Sequence, residues 1–190
     1  MTQVQQDTTT AIPGYQAGTW EIDSAHSEIG FSVRHLMVSK VRGRFAEFTG
    51  TIVTAADIAD STVSVDIELA SIATGNEQRD AHLRSKDFFE ADTYPTMTYR
   101  STDIVADGDN FVLRGKLSLN GITKAVPVKF EVVGAGPDAY GGYRIGFSGN
   151  AEINRQDFNV EFNQLIEGGG VVVGDKITVQ LEVEAVRQDS

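Results

Sequence analysis

An all-β fold of about eight antiparallel strands is predicted by three observations. Apolar and polar residues alternate along almost the whole chain after residue 17, as in strands with one buried face. Turn-forming pairs such as Asn120-Gly121 separate the alternating runs, so short links join the strands. The 190 residues, 41% of them hydrophobic, suffice for one domain with its own core. These features favour a closed barrel or a two-sheet sandwich.

The stretch 26–35 contains a predicted strand that ends in a histidine on its apolar face. Ile29, Phe31 and Val33 alternate with polar or small residues, so this strand has one apolar face. His35 continues the phase of that face. The alternation therefore predicts an imidazole beside the hydrophobic surface, where it either acts functionally or is a core histidine bonded to a backbone carbonyl.

The later strands show the same alternation, with one interruption. The segment 41–54 changes phase near Glu47 and Phe48, which predicts a bulge that bends a long strand. The polar lead-in 1–16 is predicted to be disordered, so the folded domain is expected to span 17–187. The other alternating runs are 61–69, 111–119, 126–132, 143–153 and 177–185.

Residues 75–94 break the rhythm with charged residues and helix formers. Asn76 suits a helix N-cap, and the carboxylate of Glu77 suits the first turn of a helix. Pro95 disfavours a helical conformation at Tyr94. One or two short helices are therefore predicted here, lying over one end of the barrel.

Composition limits the function classes. The formal charge of −11 and the pI near 4.6 argue against a nucleic-acid surface or an anionic-membrane surface, although transient membrane contact stays open. The chain has no cysteine, which excludes disulfides and thiolate chemistry. No apolar run is long enough to span a membrane. The first ten residues lack the features of a secretory signal, so a cytoplasmic location is expected.

Few residues could carry chemistry. The three histidines, His26, His35 and His82, lack the spacing of a metal motif on a strand or a helix, so no metal is expected. No Gly-x-Ser-x-Gly nucleophile motif is present. Arg155 and the nearby Asp157 either hold a polar head group or neutralise each other.

A set of short segments carries a resemblance to a known family. They are 20–27, 29–35, 41–45, 48–50, 72–74, 80–83, 85–89, 94–95, 115–123 and 154–158. In this order and spacing the chain resembles the YceI-like family of lipocalin-like, polyisoprenoid-binding proteins, over about residues 17–187. Asn159 departs from the pattern, because the family commonly has glycine at that position.

The resemblance implies an extended antiparallel β-barrel with a helical segment near one end and an elongated apolar lumen for a long isoprenoid chain. The polar end of the ligand is expected near His35, His82 or Arg155. The residues expected to contact the tail are Ile29, Phe31, Val33, Phe45, Leu117, Phe130 and Phe147.

The favoured hypothesis is non-enzymatic binding, storage or transport of an isoprenoid lipid, either a polyprenyl phosphate or an isoprenoid quinone. Burial of the hydrocarbon tail, at about 25 cal/mol per Å², needs no catalytic residue, and no cofactor besides the bound lipid is expected. The alternatives are an enzyme that uses His35 as general base on an apolar substrate, and an interaction protein whose own side chains fill the barrel. A homodimer through an exposed strand or the helical segment also stays open.

Overall fold

The computed structural model describes residues 12–167 and 170–188 and shows a closed antiparallel β-barrel. The first and last strands pair with each other, which closes a ring of eight strands. This confirms the predicted barrel and removes the sandwich alternative. The strands are β1 (Gly18–Ile22), β2 (Glu28–His35), β3 (Ser39–Phe45), β4 (Phe48–Thr54), β5 (Thr62–Glu68), β6 (Ile72–Ala73), β7 (Thr96–Asp107), β8 (Asn110–Leu119), β9 (Ile122–Ala125), β10 (Val128–Pro137), β11 (Tyr143–Asn154), β12 (Leu165–Ile166), β13 (Gly170–Val171) and β14 (Val173–Arg187).

The ring is formed by β1, β4, β5, β7, β8, β10, β11 and β14. The β2–β3 hairpin extends this ring on one side, because β2 pairs with the long strand β14 beyond the part that pairs with β1. The prediction of a bulge in one long strand over 41–54 was wrong, because β3 ends at Phe45 and β4 begins at Phe48, and the phase changes at the break 46–47 between these two strands. There the backbone bonds to the turn after β5, since Ala46 N donates to Ser71 O.

One end of the barrel, which we call the helix end, is covered by residues 77–95 and 155–162. The single α-helix of the described residues, α1 (Glu77–Arg84), begins after Asn76, whose side chain accepts from Arg79 N at 2.9 Å. Phe88 and Phe158 from these segments are buried in the main core. Asn159 has a φ of 55°, a left-handed conformation that asparagine tolerates better than most residues.

The opposite end, which we call the N-terminal end, is closed by residues 12–17 and 55–61. Ile12 and Tyr15 pack against the core, and Trp20 is fully buried nearby. The predicted disorder of residues 1–16 falls on 1–11, which lie outside the described residues, and on 12–16, which the structure places against the barrel. Among the described residues, no helix has the length and apolar character needed to cross a bilayer.

Candidate functional site

The barrel encloses an apolar cavity, which we call the lumen, of about 190 Å³. Side chains from all eight strands of the ring line it, and none of the lining residues among those that the structure describes carries a charge. The alternation seen in the sequence produces this wall, because one face of each strand points inward.

Most of the predicted tail-contact residues line the lumen: Ile29, Phe31, Phe45, Leu117, Phe130 and Phe147. Val33 does not, although it has the same strand phase. It lies farther along β2, opposite Val41 and Ile177, neither of which lines the lumen. The binding role of these residues stays a prediction.

The polar groups of the lumen lie mainly at the N-terminal end. The Tyr15 hydroxyl donates to Ala55 O at 2.8 Å and lies 3.2 Å from Ser61 Oγ. Thr54 Oγ1 accepts from Trp20 Nε1 at 2.8 Å and donates to Gln16 O at 2.7 Å. Burial raises the pKa of Tyr15, so its hydroxyl stays neutral. This end of the lumen therefore offers uncharged hydrogen-bonding groups.

A second tyrosine lies in the lumen wall. The Tyr99 hydroxyl donates to Val126 O at 2.8 Å, and burial raises the pKa of Tyr99 strongly. Its ring lies over Gly115, where a Cβ would stand 2.5 Å from the tyrosine ring and hydroxyl. The hydroxyl is bonded to the sheet backbone, so Tyr99 contributes mainly ring surface to the wall.

Arg155 has a different role from the predicted contact with a head group. It is 4% exposed, and its five N–H groups are all used. Nε donates to Gly174 O at 2.9 Å, and the other four contact three backbone carbonyls and Asp175 Oδ1. Its partner is Asp175 and not Asp157, which lies 3.9 Å from Lys124. Burial lowers the pKa of Arg155, and no donor is left for a ligand.

His82 and His35 also lie outside the lumen. His82 Nε2 is 2.7 Å from Asp87 Oδ2, and its ring packs edge-on against Phe88 and Phe162. His35 ends β2, half-buried, opposite Ser39 and Val173. The three residues predicted for the polar end of the ligand therefore lie near the helix end, but none lines the lumen.

The cluster around Arg144 has oxygen and nitrogen atoms of the kind that bind metals. Asp23 Oδ2 lies 2.8 Å from His26 Nδ1, with Glu184 close by. The Arg144 guanidinium already bridges the carboxylates, at 2.8 Å from Asp23 and 2.6 Å from Glu184. Arg144 first, and then His26, hold the pKa of Asp23 at about 2. The cluster thus has its own cation and joins strands outside the lumen.

The residues that sequence reasoning missed are Tyr15, Thr54 and Ser61. Tyr15 lies in the lead-in that was predicted to be disordered, and its signal was an aromatic residue in an otherwise polar segment. Thr54 ends β4, and Ser61 is the last residue of the connecting segment 55–61 between β4 and β5. Nothing in their local sequence distinguishes them from ordinary turn residues.

Comparisons with known proteins agree with this architecture. The model of the YceI-like domain family matches residues 20–185. A UPF0312 protein of Photorhabdus laumondii is 40% identical over 140 residues, 73% of each chain. A UPF0312 protein of Pseudomonas aeruginosa is 35% identical over 175 residues, 90% of this chain and 88% of that one.

Solved structures match as well. The crystal structure of BcnA from Burkholderia cenocepacia has a TM-score of 0.75 and 25% identity, and covers 86% of this chain and 98% of its own. A domain from Saccharophagus degradans, described as a polyisoprenoid binding domain, has a TM-score of 0.68 at 18% identity and covers 91% of this chain and 100% of its own. By its fold and by the family model, the chain belongs to the YceI-like family.

Proposed function

We propose that this protein binds the tail of a long isoprenoid lipid in the lumen and does not transform it chemically. The observation that carries the proposal is the lumen wall, which is apolar and has no charged residue. Transfer of hydrocarbon from water to such a wall is favourable by about 25 cal/mol per Å². The fold shared with the polyisoprenoid binding domain of S. degradans supports the same ligand class.

The lining residues also favour binding over catalysis. They include no histidine, carboxylate or lysine that could act as general acid or base. His35, the predicted base of the enzyme alternative, ends β2 outside the lumen. No observation therefore favours the enzyme hypothesis.

The uncharged lumen wall determines which kind of lipid head group can enter the barrel. An ionised phosphate inside the lumen would have no cation beside it, and burial of an unpaired charge is costly. A neutral head group such as a quinone can instead accept a hydrogen bond at the N-terminal end from Ser61, whose proton, unlike those of Tyr15 and Thr54, is not donated to a backbone carbonyl. We therefore favour an isoprenoid quinone over a polyprenyl phosphate, whose head group would have to remain outside the barrel.

A long tail requires the lumen to widen. Its volume of about 190 Å³ is close to the ~150 Å³ of a cavity that accommodates benzene. By that comparison it holds about one or two isoprene units. Half-buried rings in the wall can give way by rotation: Phe130 stacks on Phe111 at 5.4 Å and packs edge-on against Phe147 at 6.0 Å. Binding is expected to displace these rings.

The test uses a pair of neighbouring residues on β11. Ala151 is buried and lines the lumen, whereas Asn150 is exposed on the outer face. Ala151→Phe places a ring in the lumen and is expected to abolish binding, while Asn150→Phe is expected to bind as the unmodified protein does. The measurements are mass spectrometry of lipids that co-purify from the native host and the shift in thermal stability with added prenyl quinone.

Two results would contradict the proposal. One is a native preparation that contains no prenyl lipid and whose stability is unchanged by prenyl quinone or prenyl phosphate. The other is equal lipid binding by the two variants, because the lumen would then not be the site. A larger stability shift with prenyl phosphate than with the quinone of equal tail length would overturn the head-group preference alone.

A further inference from the structure

We propose that the β2–β3 hairpin docks this protein on an anionic lipid bilayer, with the apolar hairpin tip inserted among the lipid head groups. The surface consists of four cations on the outer face of the hairpin, Arg34, Lys40, Arg42 and Arg44, and the apolar tip residues Met37 and Val38. The proposal does not depend on what the lumen holds.

The charge of this hairpin is opposite to that of the chain. Residues 28–46 contain these four basic residues and one carboxylate, that of Glu28 at the end of β2 farthest from the tip, although the whole protein has a net charge of −11. Overall charge argued against an anionic surface as partner, but a local patch of the opposite sign reverses that argument for one face. An anionic membrane repels the acidic remainder of the surface, so the protein is expected to meet the membrane with the hairpin face.

Strand register collects the four cations on one face. Arg34 lies directly opposite Lys40, Arg42 opposite Ser32, and Arg44 opposite Gly30. The alternating pairs, such as Ile29 with Phe45, point inward, so the cations point outward, and all four are exposed.

The chain supplies these cations with no counter-charge. Within the part of the chain that the structure describes, none of the four has a carboxylate within 4.0 Å. Like charges directly opposite each other, such as Arg34 and Lys40, destabilise a strand pair. An external anion therefore relieves a repulsion that the fold leaves in place.

The tip presents apolar side chains where a turn usually has polar ones. Met37 is 54% exposed and Val38 is 83% exposed. Leu36 and Met37 have φ values of 50° and 59°, conformations for which hairpins normally use asparagine or glycine. Backbone strain of this kind is typical of functional positions.

Another exposed apolar residue, Leu165, lies beside the tip. Leu36 N donates to Val172 O at 3.0 Å, which joins the tip to the segment after β13. The adjoining strand β12 carries Leu165, which is 86% exposed. One carboxylate, Glu167, is on the same short hairpin, and the four cations outnumber it.

A bilayer fits these features better than an acidic protein does. The exposed apolar residues are on loop tips and form no flat patch, so they can enter the boundary between head groups and acyl chains. The cations flank the tip along the strands, where they can contact lipid phosphates. Protein interfaces instead concentrate apolar area in a shape-matched central patch.

The test is co-sedimentation with vesicles of phosphatidylcholine, with and without phosphatidylglycerol. The unmodified protein is expected to bind the anionic vesicles, and to do so less at high salt. R42E/R44E is expected to lower binding by roughly tenfold or more. The control variant K116E/K129E changes the net charge by the same amount as R42E/R44E, at two exposed lysines on β8 and β10. It should bind at least half as well as the unmodified protein.

A second variant tests the apolar tip and does not alter charge. M37S/V38S should weaken binding to the anionic vesicles, while the control V133S/Y140S, at two exposed apolar positions elsewhere, should not. The emission of the single tryptophan, Trp20, reports whether each variant is folded. A folded R42E/R44E should still take up prenyl quinone from solution, which separates docking from lumen binding.

The proposal is overturned if the unmodified protein ignores anionic vesicles, or if each variant and its control bind equally well. Binding to polyglutamate that R42E/R44E abolishes, without binding to vesicles, would assign the hairpin to an acidic protein instead.

Discussion

The two ends of the barrel are closed by different chemistry. At the helix end a buried cation, Arg155, is held by backbone carbonyls and Asp175. At the N-terminal end the lumen meets neutral hydroxyl groups, and the nearby cation, Arg144, is paired with carboxylates outside the wall. The two arginines thus have opposite environments. Burial lowers the pKa of Arg155, whereas carboxylate partners raise the pKa of Arg144. The helix end is therefore built as a fixed closure, and the N-terminal end is the one able to exchange hydrogen bonds with a ligand.

The largest expected effect is at the helix end. Arg155→Met leaves four backbone carbonyls and a carboxylate without their donor, which should lower the free energy of unfolding by about 3–5 kcal/mol. Denaturant unfolding followed by Trp20 fluorescence measures this. The control is Arg100→Met, which removes an exposed pair with Asp66 and should cost at most about 1 kcal/mol. Equal losses in the two variants would show that Arg155 is not the fixed closure.

A smaller effect is expected at the N-terminal end. Tyr15→Phe removes the hydroxyl that bonds Ala55 O and should cost about 0.5–1.5 kcal/mol of stability. If the head group binds there, Ser61→Ala should lower the affinity for prenyl quinone severalfold, by the loss of one hydrogen bond to the ligand. Isothermal titration with short-tailed quinone measures that affinity. An unchanged affinity in a folded Ser61→Ala variant would place the head group elsewhere.

The smallest effect is a pH dependence at Arg144. The folded pKa of Asp23 lies at about 2, below its ordinary 3.8, because Arg144 and His26 stabilise the carboxylate. The stability that this provides is present above about pH 4 and is lost as the pH falls toward 2. Arg144→Met should therefore flatten the loss of stability between pH 4 and 2. Thermal unfolding across that range checks it, and a slope unchanged from the unmodified protein would contradict the assignment.

The phase of each strand predicted which side chains face inward, but it did not predict where along the barrel axis each side chain lies. Phe31 and Val33 share one phase, yet only Phe31 lines the lumen, and the residues opposite Val33 on the neighbouring strands, Val41 and Ile177, do not line it either. Asp157 is near Arg155 in sequence, but the chain folds so that Asp175 and four backbone carbonyls surround the guanidinium. Such partners depend on how loops return to the barrel, which local patterns do not encode.

By itself, the sequence determined an apolar interior and an antiparallel sheet in an acidic chain. Side-chain direction in a strand alternates with a period of two, so these properties are local. Only the tertiary structure decided which polar groups reach the lumen, that Arg155 is a closure, and that four cations share one exposed face. These outcomes depend on strand register and barrel closure, which join residues distant in sequence.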